Sequence, residues 1–430
     1  MNILVDNGDP ELTNLGDYAM LSAACQEIGL AWPKASLFTF ASRPERLAEL
    51  LPGVRPVPTL GRDLWSRLAA LGWFWESRFP RSRRLAQQYR LFTSRPSAAL
   101  LARLTAPATK GGPEAVRQFL RFLRRVDLYF WCGGGYLTDP FGSLATKLAN
   151  TLEVLTSRTV PAAAFGLGVG PLHRPRIHAA VRSAMGNFQA VGLRDHDSAR
   201  QLKEWGIEQG RVRVTGDDAL STAERHTPPD LGTWLGISFR HSYYSGFSPE
   251  RMVPLTARLP DFCARHRAAM ASIPIARADL SANWGLRSTS VSFYQPPFDL
   301  ASVLDAVGHC RLVVTASYHA AVFALAMGVS VVAVTASGYY ALKFTGLQRS
   351  FGGLLPVIPL PLPSDAAGNE RLLGQMEESW RRAPQVRGEL QDRARQQIEV
   401  NRRFRHEVFA ELRRETDAVH GTVGQRQAHG

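Results

Sequence analysis

His319 is the residue whose neighbours in the chain point most directly at chemistry. RLVVTA (311–316) is a β-branched run that predicts a strand, Ser317 and Tyr318 a short turn, and AAVFALAMG (320–328) a helix of small and apolar residues. The imidazole then falls near a first helical turn, just past a strand end. A histidine there can move a proton near neutral pH or, once protonated, hold an anion. The ordinary alternative, a structural histidine, suits an apolar face better than a junction of this kind.

In open parallel sheets, ligands collect beyond the carboxyl ends of the strands. The residues just past each predicted strand are Asn7, Gly8 and Asp9; Gly133, Gly134 and Gly135; Gly168 to His173; Arg194; Arg240 and His241; and Ser317, Tyr318 and His319. Glycines and cations dominate this set. Glycine lets backbone N–H groups approach an anion, helix N-termini favour negative charge, and arginine grips a carboxylate or phosphate through two parallel hydrogen bonds. The set points to a small anionic ligand. A glycine triplet alone is weak evidence, because GGG also makes a tight turn.

These residues need a scaffold of alternating strands and helices. MNILVD opens as a strand, and a glycine loop leads into a helix that either Asn14 or Asp17 could cap. DLYFWCGGGYL, AAAFGLGVGPL and AVGLRD each read as a buried strand ending in glycine or charge, followed by a helical pattern. RHTPPDLGTW reads as a linker, and LGISFR, ASIPIA, STSVSFY, RLVVTA and VSVVAV continue the alternation beyond it. The expected architecture is α/β: an N-terminal Rossmann-like domain over 1–225, a C-terminal one over 232–380, a long polar helix over 381–420 and a frayed tail over 421–430.

Composition narrows the class. With 430 residues, 45% hydrophobic and 20% charged, the chain suits two globular domains. No basic stretch followed by an apolar run opens it, so no signal peptide is expected and the protein is expected in the cytoplasm. Cys25, Cys132, Cys263 and Cys310 lie far apart in apolar segments, with no spacing for zinc or a redox pair. They are expected to be buried small hydrophobes, and no metal site is expected.

The net charge of +14 is concentrated in one segment. From Arg62 to Arg125 there are fourteen Lys/Arg against three Asp/Glu, together with Trp65, Trp73, Phe74 and Trp75. This basic aromatic insertion (62–125) predicts three helices. It could lie on an anionic membrane surface, or form a helical hairpin packed on the first domain with a solvated arginine face; the second is the simpler reading. No nucleic-acid-binding motif accompanies it, so nucleic acid is not an expected partner.

The landmarks are also specific as a series. VVTASYHAAVFALAMGVSVVAV (313–334) followed by YYALKFTGL (339–347) resembles the C-terminal signature of the polysaccharide pyruvyl transferase family. The loop from Asn14 to Ala19, CGGGYLTD, GLGVGPL, GLRDHDSARQLKEWGI, VRVTGDDA and GISFR resemble the family's other landmarks in their order. The resemblance spans the chain except for the basic insertion and the tail. It implies a fold like that of GT-B glycosyltransferases, two Rossmann-like domains facing a cleft. It also implies an activity: moving an enolpyruvyl unit from phosphoenolpyruvate to a sugar and closing a pyruvate ketal, without a metal or cofactor. The acceptor would be a cell-surface polysaccharide or its lipid-linked precursor; the basic aromatic insertion could then help hold an otherwise cytoplasmic enzyme at the inner face of the plasma membrane.

By that resemblance Arg194 and His319 are the donor-binding arginine and histidine. Arg240, His173 and Lys343 are further candidates for the phosphate or carboxylate, beside Gly134, Gly135, Ser317 and Tyr318. Asp17 is a candidate acid or base, with helix capping as its plainer role. Many members carry arginine where this chain has Tyr318, which offers stacking and one hydroxyl instead of a cation. Two other functions fit the same architecture. A nucleotide-sugar glycosyltransferase is expected to place a carboxylate on the nucleotide ribose, yet 319–341 contains no Asp or Glu. A non-catalytic relative would only bind.

Overall fold

The computed structural model describes residues 1–95, 111–240, 242, 245–284, 291–360 and 365–427, with backbone alone at 249–250, 282–284 and 418–427. His241, the middle of the basic insertion (96–110) and part of the expected strand STSVSFY lie outside the described residues. The chain forms two compact units. The first comprises Met1–Leu12, Leu21–Thr215 and Asn401–Gly430; the second comprises Thr13–Met20 and Gly216–Val400. The break near residue 215 precedes the expected one at 225, so the turn after VRV belongs with the second unit.

The first unit is built on a seven-stranded sheet: β1 (Asn2–Asp6), β2 (Ser36–Phe40), β3 (Arg55–Val57), β4 (Leu128–Leu137), β5 (Ala162–Val169), β6 (Ala190–Leu193) and β7 (Val212–Val214). Its order is β3-β2-β1-β4-β5-β6-β7, and every pairing is parallel. Ile3 stands opposite Leu37 on one side and Leu128 on the other, so the order reverses at β1. β4 and β5 are buried almost throughout, as their unbroken apolar runs require of central parallel strands.

The second unit has six parallel strands: β8 (Trp234–Ser238), β9 (Met270–Ser272), β10 (Phe293–Tyr294), β11 (Cys310–Thr315), β12 (Ser330–Thr335) and β13 (Val357–Pro359). The order β10-β9-β8-β11-β12-β13 reverses between β8 and β11. The apolar run after His319 forms the helix Tyr318–Ala326 and then β12, both buried. All four cysteines are free and buried, and burial pushes the Cys25 thiol up to about 12 and that of Cys263 to about 11.

The basic insertion supplies the helices Thr59–Arg78, Arg83–Thr93 and Gly112–Leu123. They are part of the first unit's core: Trp65, Trp73, Phe119, Leu120 and Leu123 pack with Tyr129 and Trp131 of β4. The expected solvated arginine face is corrected at two positions. Arg62 is 1% exposed and donates to both carboxylate oxygens of Asp6 at 3.0 Å, while Tyr129 Oη donates to the same group at 2.9 Å. Arg90 is buried over the Trp73 ring and donates to Glu153 at 2.6 and 2.8 Å. These arginines fasten the insertion because a buried charge is tolerable only when paired.

The C-terminal helix is longer than the sequence pattern predicts, running Ala366–Gln427 and passing through Pro384. Leu372, Leu373, Met376 and Trp380 explain the earlier start, since they pack into the second unit's core. From Asn401 the helix belongs to the first unit, where the Phe409 ring lies 5.5 Å from Phe130 and 5.9 Å from Phe165. Helical backbone to Gln427 likewise replaces much of the expected frayed tail.

Candidate functional site

The second sheet reverses order at β8 and β11, which opens a crevice beyond their carboxyl ends. β11 ends at Thr315, whose Oγ1 accepts from the Ser317 N–H at 2.8 Å and donates to the Ser317 carbonyl at 3.0 Å. This local clasp turns the chain sharply, so that Tyr318 and His319 open the next helix. Ser317 is the N-cap residue, but its side chain makes no capping bond. His319 is 8% exposed, and its Nε2 lies 4.0 Å from Asp217 Oδ2. Asp217 also accepts from the Ala219 N–H at 2.9 Å, which steadies the carboxylate.

The Asn14–Ala19 loop reaches the same place. Asn14 Oδ1 accepts from the N–H groups of Gly16 and Asp17, so Asn14 caps the helix Leu15–Ala31 and Asp17 does not. Asn14 pairs with Ala276, and the Leu15 N–H donates to the Ile275 carbonyl at 2.8 Å. This docking lays Gly16 on the His319 ring: a Cβ on Gly16 would sit 2.1 Å from imidazole Cγ and Nδ1. Glycine is required there by close approach. Asp17, 2% exposed, follows on the same helical turn.

Tyr318 has a defined partner. Lys343 Nζ lies 4.2 Å from the centroid of the Tyr339 ring, 5.8 Å from that of Tyr340 and 5.9 Å from that of Tyr318. The ammonium is held by ring faces, a favourable setting for a cation. Position 318 thus carries a surface for a cation instead of the cation itself. At the end of β8, Arg240 acts on the fully buried Asp279. Burial pushes the Asp279 carboxyl up, while Arg240 and the backbone N–H groups of Ala276 and Ile275 hold it back. Part of the Arg240 charge is therefore already answered.

In the first unit, Arg194 follows β6 and is 5% exposed. Its guanidinium lies on the Gly168 backbone, where a Cβ would meet Nε at 2.5 Å. Its Nε is 3.7 Å from Asp195 Oδ2, and Asp195 caps the helix His196–Glu204 through the Ser198 N–H at 2.7 Å. Gly134 has a positive φ of 98° and lies under the Tyr136 ring, as does Gly8. The triplet thereby makes room for an aromatic ring as well as a turn, and Gly135 continues β4 behind it. His173 is exposed, its N–H donating to Asp139 Oδ2 at 2.6 Å.

Within the second unit, then, Asp17, Ser317, Tyr318, His319 and Lys343 gather around the start of the helix after β11, and Arg240 stands at the end of the neighbouring strand. Arg194, Gly134, Gly135 and His173 are placed on the first unit. Asp217 was missed by sequence reasoning, although the paired acids in VTGDDA were the available signal. Asp279 carried no such signal. Among the described residues, no group of three His, Cys, Asp or Glu side chains could hold a metal ion.

Two parallel Rossmann-like sheets with a strand-end site define a GT-B fold. Solved structures agree. The chain resembles the Arabidopsis thaliana protein UGT89C1 complexed with UDP-L-rhamnose (TM-score 0.56, 12% identity, covering 96% of this chain and 98% of that one). It also resembles the Neisseria meningitidis UDP-GlcNAc 2-epimerase bound to UDP-GlcNAc (TM-score 0.53, 10% identity, covering 93% and 99%). At these identities the likeness is one of fold. The family model for polysaccharide pyruvyl transferase matches residues 14–338, and the chain belongs to that family. It is accordingly a transferase of polysaccharide modification. No curated protein matches the sequence.

Proposed function

We propose that this protein transfers an enolpyruvyl unit from phosphoenolpyruvate to a saccharide and closes a pyruvate ketal. The observation that carries the reading is His319 on the first turn beyond β11, with Asp217 facing its ring and Gly16 beneath it. In this reaction one sugar hydroxyl adds to C2 of phosphoenolpyruvate while a proton joins the C3 methylene. Phosphate leaves, and a second hydroxyl closes the ketal as its proton is taken up by phosphate or a base. His319 is suited to the proton transfers, because Asp217 would stabilise an imidazolium formed on the way. Asp17 is the second acid or base candidate. Within the second unit, Arg240, Lys343 and the helix start at Tyr318 would answer the donor's carboxylate and phosphate, with Ser317 as a further contact; Arg194, Gly134, Gly135 and His173 are the candidate contacts the first unit offers.

The test is a thermal-shift comparison of phosphoenolpyruvate with UDP- and GDP-sugars. Stabilisation by phosphoenolpyruvate is expected, about 2.7 kcal/mol at a hundredfold excess over Kd. Stabilisation by a nucleotide sugar alone would replace this reading with a glycosyltransferase.

The acceptor in this reading is a cell-surface polysaccharide or its lipid-linked precursor, met at an anionic membrane. Phe74, Trp75, Phe79 and Leu85 are 45–66% exposed on the insertion's first two helices and their junction, interleaved with the exposed Arg78, Arg81 and Arg84. Apolar side chains ringed by arginine suit an interface of lipid headgroups. No described helix is long and apolar enough to cross a membrane. Flotation with vesicles containing phosphatidylglycerol should carry the protein upward, and Trp75→Ala with Phe79→Ala should leave it behind. Failure of the wild-type protein to float removes this part of the reading.

A further inference from the structure

The insertion helix Thr59–Arg78 walls a cavity of about 520 Å³ in the first unit, whose lining includes neither Arg194 nor the Gly133–Gly135 turn. We propose that this cavity binds the diphosphate group of a phosphorylated ligand through Arg67, Arg174 and Arg176. The proposal is independent of the donor chemistry at His319.

Four cations and two acids line the cavity, and the acids are already engaged. Asp63 Oδ1 lies 2.6 Å from Lys147 Nζ, and Asp139 accepts from the N–H groups of His173 and Arg174. Among the described residues, no carboxylate lies within ion-pair distance of Arg67, Arg174 or Arg176, and all three are exposed to the solvent that fills the space. With Lys147 answered by Asp63, three arginines line the cavity against the one remaining carboxylate, Asp139, so the excess positive charge favours an anion that answers them. A diphosphate, with ionised oxygens spread over two phosphorus centres, does this better than a single carboxylate. Each guanidinium can take two of those oxygens in its planar fork.

The backbone contributes as well. The helix Gly142–Thr156 begins in this wall, and its N-cap residue, Phe141, has no side chain able to cap it. The Gly142 N–H already donates to the Asp139 carbonyl, but the Ser143 side of this first turn lines the cavity and brings the positive end of the helix dipole to it. The helix Pro175–Asn187 starts on the same wall and carries Arg176 in its first turn. These helices follow β4 and β5, so the cavity lies near the carboxyl end of the first sheet. Its volume falls within the range of small-molecule sites, about 300–1,000 Å³, and leaves room for whatever the diphosphate carries.

Calorimetry with inorganic pyrophosphate tests the assignment, using the full-length protein. Wild-type protein should bind pyrophosphate. Arg67→Ala, Arg174→Ala and Arg176→Ala should each weaken binding several-fold, and Arg174→Glu combined with Arg176→Glu should abolish it. His319→Ala should leave it unchanged. Farnesyl diphosphate and UDP, titrated separately, identify the source: tighter binding of the first marks a lipid carrier, and of the second a nucleotide. Absence of pyrophosphate binding in the wild type overturns the proposal. So does binding that His319→Ala removes and the arginine variants retain. Near-wild-type unfolding midpoints for the single variants, expected at exposed sites, separate lost binding from lost fold.

Discussion

His319→Ala is expected to lower pyruvyl transfer by about 10²–10⁴-fold, the usual worth of a positioned acid or base. Release of phosphate from phosphoenolpyruvate, in the presence of the saccharide acceptor, measures it. An unfolding midpoint near that of the wild type separates lost chemistry from lost fold. Asp217→Asn keeps the shape and removes the charge facing the ring, so it should lower kcat while leaving donor affinity nearly unchanged. Lys343→Ala should do the reverse if the tyrosine-held ammonium binds the donor, raising KM more than it lowers kcat. A His319→Ala enzyme that turns over at the wild-type rate would sink the assignment of the site.

Arg62→Ala is expected to have the largest effect on stability. It leaves Asp6 at the end of β1, fully buried, with only Tyr129 and the Asn7 backbone N–H to answer its charge. Breaking a buried pair in this way typically costs about 3–5 kcal/mol, read from urea or guanidinium unfolding. The pH dependence identifies the cause. Burial pushes the Asp6 carboxyl above its ordinary range, and Arg62 and Tyr129 hold it back. Without Arg62 the folded state should keep the Asp6 proton to higher pH than the unfolded state does. Folding then takes up a proton, and the variant should lose stability relative to wild type as pH rises from acid toward neutral. Asp6→Asn in the Arg62→Met background should recover much of the loss and flatten that dependence. A pH-independent deficit would assign the cost to packing over Phe40, whose ring centre lies 3.6 Å from the Arg62 guanidinium carbon.

Much of the fold could be read from the chain because parallel sheets leave a strong local signature. β-Branched runs ending in glycine or charge are what buried central strands look like, and β4, β5, β11 and β12 stand where those runs do. His319 was legible for the same reason: the hydrophobic period changes at Ser317, and a residue at that change must lie at a strand end. Charge patterning was less informative. Arg62 and Arg90 belong to a run that reads as a solvated face, but their burial depends on Asp6 and Glu153, 56 and 63 residues away. The tyrosines around Lys343 are intermediate. Tyr339 and Tyr340 precede it by four and three residues on one helix face, so their contact was predictable, whereas Tyr318 arrives from another element. Asn14 and Asp17 were equally good caps by type, and only geometry separates them.

The division of the chain has a consequence for how the protein is made. Thr13–Met20, which lays Gly16 on His319, leaves the ribosome roughly 200 residues ahead of the rest of its unit. At about 5–20 residues per second that is a delay on the order of 10–40 s. The first unit waits longer, because Phe404 and Phe409 pack on its sheet only after synthesis has passed residue 400. Neither unit can therefore finish folding before the last helix emerges, and the nascent chain must keep the bare faces of Phe130 and Phe165 from other partners until then.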